Sequence, residues 1–243
     1  MAKEIHPTAI ISPKAEIEED TFVGPFCIIQ DGAHIKRGSK LISNVIIEGN
    51  TEIGENCTIY PFTSIGLPPQ DLKYKGETTG IKIGNNNTIR EYVTLHRASV
   101  GGDGQTTLGD NNFLMAYVHI AHDCKIGNSV IMANVATLAG HVVVEDHAYI
   151  GGLSAVHQFA RIGAYAMVGG FSGVAQDIPP YMTASGPRAK LFGLNTIGLK
   201  RHGFSDSTIN ELKKAYKILF REKRTLKDAI KKIQEDLPYT DEI

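Results

Sequence analysis

An aliphatic residue returns at every sixth position through most of this chain. One register runs Ile5, Ile11, Ile17, Val23, Ile29, Ile35, Leu41, Ile47, Ile53, Ile59, Ile65. A second holds Ile83, Ile89 and Leu95, and a third runs from Leu108 through Leu114, Ile120, Ile126, Met132 and Leu138 to Val174. A period kept at 26 positions constrains the fold more than any local propensity. Four residues after each aliphatic position a small or β-branched residue usually stands, as at Ala9, Cys27, Ala33, Ser39, Cys124, Ala136 and Ala148, and the next residue is often glycine, as at Gly24, Gly54 and Gly127. One large and one small inward side chain per six residues describe a short flat strand followed by a tight corner. No 3.6-residue period runs through this region, so a helical solenoid is excluded. Three such sides close an 18-residue coil of a parallel β-helix, and the 26 hexads predict between eight and nine coils stacked at about 4.8 Å.

The pattern [LIV]-G-x-x-small-x resembles the hexapeptide-repeat family, whose β-helix is left-handed. The phase breaks twice. Residues 66–82 (GLPPQDLKYKGETTGIK) lack inward aliphatics at 71 and 77, and residues 98–107 (ASVGGDGQTT) shift the register by one. Both stretches are polar and rich in Gly or Pro, and read as loops leaving a corner of the prism, where binding residues tend to sit. After Val174 the texture changes to the Pro-rich DIPPYMTASGP, and the period then becomes helical. A first helix is expected over Leu191–His202, ending at Gly203. A second is expected to start at a Ser205 or Asp206 cap, and a third at a Thr225 cap. The expected organisation is a β-helix over 1–187 and a small helical domain over 188–243.

No apolar run approaches the ~18 residues of a membrane span. The N-terminus has no apolar segment of a secretory signal. Cys27, Cys57 and Cys124 all fall in the small inward column, so they read as core fillers in a reducing, cytoplasmic protein. Residues 188–243 hold 13 Lys and Arg against 8 Asp and Glu, a formal +5, whereas residues 1–187 carry a formal −6. A basic appendage on an acidic prism suggests an acidic partner or anionic ligand. Nucleic acid is a poor candidate: the basic residues are not interleaved with aromatics and Trp is absent.

Seven of the nine histidines lie between His96 and His202. The 18-residue coil acts as a ruler on them. His122, Gly140 and Gln158 fall in one column, and Asp123, His141 and Phe159 in the next. The third and fourth hexad positions, which His122 and Asp123 occupy, are expected to point outward from the prism. An imidazole, a carboxylate and a second imidazole are thus gathered on one edge, with a glycine above the first imidazole. That grouping suits acyl transfer: His takes a proton near neutral pH, its neighbour fixes the tautomer, and a glycine N–H can meet an oxyanion. No Ser or Cys sits in a nucleophile elbow, so direct attack by the acceptor is favoured. A zinc site built from His119, His122 and a neighbour's His141, as in a carbonic-anhydrase branch of such prisms, is the rival use of the same residues. A non-enzymatic solenoid would show a flat Thr-rich face, and the outward positions here are irregular and His-bearing.

The strings GPFCI (24–28), QDLKY (70–74), HIAHDC (119–124), LAGHV (138–142), AVHQF (155–159), MVGG (167–170), SGVAQDIPPY (172–181) and GLKRHGF (198–204) resemble the UDP-N-acetylglucosamine acyltransferase family along almost the whole chain. The resemblance implies transfer of a (3R)-3-hydroxyacyl chain from acyl carrier protein to the 3-position of UDP-N-acetylglucosamine, the first step of lipid A synthesis. It implies that His122 is the general base with Asp123 beside it, and that the Gly140 N–H stabilises the oxyanion. Gln70, Asp71, Lys73, His96, His119, His141, His157 and Gln158 are implied to bind the sugar nucleotide and thioester. Asn195 and Arg201 would contact nucleotide or carrier, and Met167 and Gly170 would bound the acyl groove. A homotrimer with no cofactor and no metal is implied. The family often has Glu where Ile197 stands and a second Arg where His202 stands. The related N-acyltransferase, giving an amide on a 3-amino sugar, is the nearest alternative; it normally adds an N-terminal domain, whereas the repeat here starts at Ile5.

Overall fold

The computed structural model describes residues 2–238 and 240. Short strands, most of two residues, stack in register into three parallel sheets of 11, 9 and 8 strands, the first ending in one antiparallel strand. The fold is the expected left-handed parallel β-helix with a small helical region at its C-terminal end. The first face begins with Glu4–Ile5, the second with Ile10–Ile11 and the third with Glu16–Ile17. Strand partners are usually one 18-residue coil apart, as in Ile28↔Ile46, His119↔Thr137 and Ala155↔Gly173. Backbone bonds such as Ile28 N–H to Val45 C=O (2.8 Å) and Lys125 N–H to Val142 C=O (2.9 Å) bind each coil to the next.

The inward aliphatics form one continuous core. Ile29, Ile35, Leu41, Ile59, Leu114, Ile150 and Val174 are all buried, and the small column of Cys27, Ala33, Ser39, Cys57 and Ala136 fills the space between them. The stack is open at its N-terminal end, where Ile5 is 42% exposed because no coil lies below it. The three cysteines are buried and unpaired. Burial pushes the Cys124 thiol up to about 12, so it stays protonated.

Both breaks of the repeat open at one corner, between the second and third faces. The first joins strand Ser64–Leu67 to Gly80–Ile83, and the second joins Thr94–His96 to Gln105–Leu108. Strand register crosses them at 30 residues (Thr58↔Thr88) and at 25 (Lys82↔Thr107) and then returns to 18. The insertions therefore add chain at the corner without disturbing the stack.

Strand Met182–Ser185 extends the first face, and Lys190–Leu194 pairs with it antiparallel. This corrects the helix expected over Leu191–His202. The first half of that segment is a strand, with Gly193 at φ 145, and only Thr196–Arg201 is helical (α1). A ready-made sheet edge outcompetes a half-amphipathic pattern. Helices α2 (Asp206–Phe220) and α3 (Leu226–Asp236) follow, capped by Ser205 and Thr225. Among the described residues no helix is long and apolar enough to cross a membrane.

The same hexad position should differ sharply in energy along the prism. Ile59→Ala, at a fully buried rung, is expected to lose about 2–5 kcal/mol in urea unfolding. Ile5→Ala, at the open end, should lose under about 1 kcal/mol. Equal losses would contradict a core closed by stacking.

Candidate active site

The second-to-third corner brings His122, Asp123, Gly140 and His141 together. His122 Nδ1 lies 2.8 Å from Asp123 Oδ2, and His141 Nε2 is 3.8 Å from the same oxygen. The two rings meet edge to face at 5.3 Å, and His141 stacks on Phe159 at 4.7 Å. The 141 N–H donates to the His122 carbonyl (3.0 Å), which fixes one coil upon the next. A carboxylate only accepts, so the His122 proton sits on Nδ1 and Nε2 presents its lone pair. A Cβ built on Gly140 would fall 2.6 Å from His122 Cε1, so any larger residue there would displace the ring. Among the described residues the Gly140 N–H has no acceptor within the chain.

Asp123 keeps the outward direction expected of its hexad position, yet it is covered. It points away from the prism core but is only 5% exposed, because the 98–104 loop covers it. Ser99 donates to Asp123 Oδ2 from its N–H (3.0 Å) and its hydroxyl (2.8 Å), and the Asp123 N–H donates to Thr106 Oγ1 (2.9 Å).

His96 and His119 lie on the second face, one coil apart. Their rings meet edge to face at 5.2 Å. His96 Nδ1 donates to the Pro68 carbonyl at 2.7 Å, which ties the first loop to the face. Burial holds the His96 pKa below the ordinary imidazole value. His119, bonded to Thr94 Oγ1 at 2.7 Å, is lowered by burial to about 4, with the neighbouring imidazoles of His96 and His122 adding to the shift. Gln70, Asp71 and Lys73 follow Pro68 on the loop. Gln70 and Lys73 are exposed, and Asp71 Oδ1 accepts from the Lys73 N–H. His157 and Gln158 are exposed, one coil beyond Ala139 and Gly140.

Met167, Asn195 and Arg201 stand elsewhere. They line a cleft of about 650 Å³ between the first face and the C-terminal segment, with Ile131, Tyr149, His147, Ile197 and His202. Asn195 is engaged at both ends of its amide: Oδ1 accepts from the Gly198 N–H (3.1 Å) and Nδ2 donates to the Tyr165 carbonyl (3.0 Å). Gly170 is exposed beyond Met167, towards the first-to-second corner. One chain therefore carries its candidate residues as two groups on different sides of the prism.

His122, Asp123 and His141 offer ligand atoms within 4.8 Å of one another and are the residues that could hold a metal. Asp123 Oδ2 already accepts from Ser99 twice and faces His122 Nδ1 at hydrogen-bond distance. This geometry fits a proton-relay pair better than an ion.

Two sets of residues escaped the sequence analysis. Ser99 and Arg97 lie where the loops break the ruler. Arg97, whose side chain is 14% exposed, donates to the Gly66 carbonyl (2.9 Å) and to the Tyr74 hydroxyl (3.2 Å), holding the first loop against the prism. The second set is a ridge at the first-to-second corner: Phe26, Phe62, Tyr92, Tyr117, Leu153 and Phe171 are all exposed. Phe62, Tyr92 and Tyr117 stack at 5.0 and 4.8 Å. Its signal was available, as a bulky apolar residue three places after the aliphatic one in successive coils.

Comparison with known proteins fits this picture. The family described as UDP-N-acetylglucosamine O-acyltransferase, domain 2, matches residues 177–243, and bacterial transferase hexapeptide repeats match 105–140. An acyl-[acyl-carrier-protein]–UDP-N-acetylglucosamine O-acyltransferase of Thermodesulfovibrio yellowstonii is 73% identical over 99% of this chain and 93% of its own length. Among solved structures, the UDP-N-acetylglucosamine acyltransferase of Bacteroides fragilis superposes with a TM-score of 0.96 at 39% identity, covering 98% of this chain and 93% of that one. The Acinetobacter baumannii structure gives 0.93 at 47% identity, covering 96% and 90%.

The neutral state of His119 makes a stability prediction. The unfolded side chain takes up a proton below about 6.5 and the folded one only near 4. The unfolded state thus binds more protons between those values, and stability falls as pH drops through that window. His119→Gln should make this fall in the urea midpoint shallower. An unchanged slope would contradict a buried neutral imidazole.

Proposed function

The chain belongs to the UDP-N-acetylglucosamine O-acyltransferase family, and from that premise we propose how it acts. The protein is an acyltransferase, and its reaction moves an acyl group from acyl carrier protein to UDP-N-acetylglucosamine, the first step of lipid A biosynthesis. In this reading the acyl group is a (3R)-3-hydroxyacyl chain and the acceptor is the glucosamine 3-hydroxyl. The observation that carries the mechanism is the His122–Asp123 pair at 2.8 Å beside Gly140. His122 Nε2 removes the proton of the acceptor hydroxyl as its oxygen attacks the thioester carbonyl carbon. The oxyanion that forms is met by the Gly140 N–H. Collapse breaks the C–S bond, the carrier's thiolate takes the proton back from His122, and an ester remains on the sugar. Asp123 keeps the imidazole in the tautomer that starts the cycle.

Two observations support a homotrimer. The candidate residues fall into two groups that one prism does not join, so a neighbouring copy is needed to set the Met167–Arg201 cleft against His122. The apolar ridge is unbroken from Phe62 through Tyr92 and Tyr117 to Phe171 along one prism edge, and an exposed apolar surface of that extent marks an interface. Closed cyclic symmetry is the usual way to bury one patch per subunit. The formal +5 of residues 188–243 supports docking of the acidic carrier. Buried free thiols support a reducing, cytoplasmic setting.

Incubation with UDP-N-acetylglucosamine and a panel of 3-hydroxyacyl carrier proteins should yield an O-acylated sugar nucleotide. Absence of product at every chain length would sink the assignment. His122→Ala should lower kcat by about 10²–10⁴-fold with unchanged circular dichroism. Tyr92→Asp with Tyr117→Asp should break the assembly seen by sedimentation, and a wild-type mass no greater than one chain would refute the trimer.

A further inference from the structure

The 98–104 loop plays no part in the reaction as derived above, yet it interrupts the repeat to lie over Asp123. We propose that Ser99 is a positioning residue for the base, acting through Asp123, and that the second break in the repeat exists to deliver it. The proposal rests on the acyl-transfer reading for its kinetic arm alone.

The geometry is specific. Ser99 is 2% exposed and directs both its backbone N–H and its hydroxyl at Asp123 Oδ2, at 3.0 and 2.8 Å. The same oxygen faces His122 Nδ1 at 2.8 Å. With both Ser99 donors on it, Asp123 Oδ2 carries no proton, so its contact with His122 Nδ1 is made by the imidazole's hydrogen, and Ser99 thereby commits His122 to the Nδ1–H tautomer. Asp123 also sits at φ 60, a left-handed conformation that costs a non-glycine residue about 1 kcal/mol or more. That backbone is retained by the Thr106 hydroxyl on its N–H at 2.9 Å.

The loop is built for close approach. A Cβ on Gly102 would stand 2.4 Å from Asp123 Oδ1, so only glycine lets the chain pass over the carboxylate. The Gly101 N–H donates to Ser99 Oγ at 3.3 Å, which turns the hydroxyl hydrogen towards Asp123. Asp103 pairs with Lys125 on the third face and anchors the far side of the loop. The inserted stretch lengthens the coil from 18 to 25 residues (Lys82↔Thr107), which is enough chain to reach over the corner and return.

The test combines kinetics with histidine tautomer state. Ser99→Ala should lower kcat about ten- to a hundredfold, the range seen when a partner supporting a functional ligand is removed. The KM values for both substrates should stay within about twofold. Ser99→Thr, which keeps the hydroxyl, should remain within about threefold of wild type on the same scale. In ¹⁵N-histidine NMR of the full chain, His122 should hold a single Nδ1–H tautomer in wild type and Ser99→Thr and become a mixture in Ser99→Ala. Where Ser99→Ala fails to fold, Gly102→Ala carries the same test by pressing on Asp123 Oδ1, with the same expected loss. Wild-type kcat in Ser99→Ala, a loss confined to KM, failure of threonine to rescue, or lowered kcat with an unaltered tautomer would each overturn the proposal. An inactive wild-type protein would instead overturn the acyl-transfer reading, and the tautomer arm would still decide the role of Ser99.

Discussion

Everything in this molecule depends on each coil being hydrogen-bonded to the coil one turn further along. The strand bonds mostly run between residues 18 apart in register, and the inward aliphatics still stack across the two insertions because the extra chain leaves at a corner, as in Ile65↔Leu95 and Ile83↔Leu108. A slip of one would turn every core side chain outward. The same ladder holds the corners. Asp123, His141 and Phe159 sit at φ 60, 61 and 67, conformations such residues avoid on their own. The coils above and below impose them, and with them the direction of each side chain. The backbone of the candidate base and of its partner is therefore placed by a stack of backbone bonds, and the loop bears only on their side chains.

This explains what was legible in the sequence. Between Leu108 and Val174 the period is unbroken, so counting by 18 brought His122 beside Gly140 and Asp123 beside His141, and the structure holds those residues together. Counting fails wherever chain is inserted. Ser99 and Arg97 belong to segments with no period, and nothing in ASVGGDG announces that one serine will reach Asp123. The depth of Asp123 was hidden for the same reason: its cover comes from the loop, whereas its own hexad position points outward. The strand at Lys190–Leu194 was misread because its partner, Met182–Ser185, lies across a turn that periodicity does not describe. The C-terminal helices at Ser205 and Thr225 were legible because caps and amphipathic spacing are local signals.

The three corners have diverged in chemistry while the core between them has not. One bears an apolar ridge, one bears the imidazoles and the carboxylate, and one bears Asn56, Asn86 and Asn111 and, further along, His147 at the cleft under the C-terminal segment. A single core thus offers three edges that can vary separately. On this account the ridge assembles copies, and assembly sets the imidazole corner of one copy against the Met167–Arg201 cleft of the next. The division of labour also assigns the two loops: one, tied down by His96 and Arg97, carries Gln70, Asp71 and Lys73, and the other steadies the carboxylate.

A site shared between copies is the central claim, and mixing two inactive variants tests it most directly. His122→Ala and Arg201→Ala, each inactive alone, are unfolded together, refolded as a one-to-one mixture and assayed for acyl transfer. If each site takes its base from one copy and its cleft from the next around a closed ring, random assembly leaves about one site in four intact. The account predicts recovery of roughly a quarter of wild-type activity on that statistical basis. Activity no higher than the sum of the two variants would contradict it.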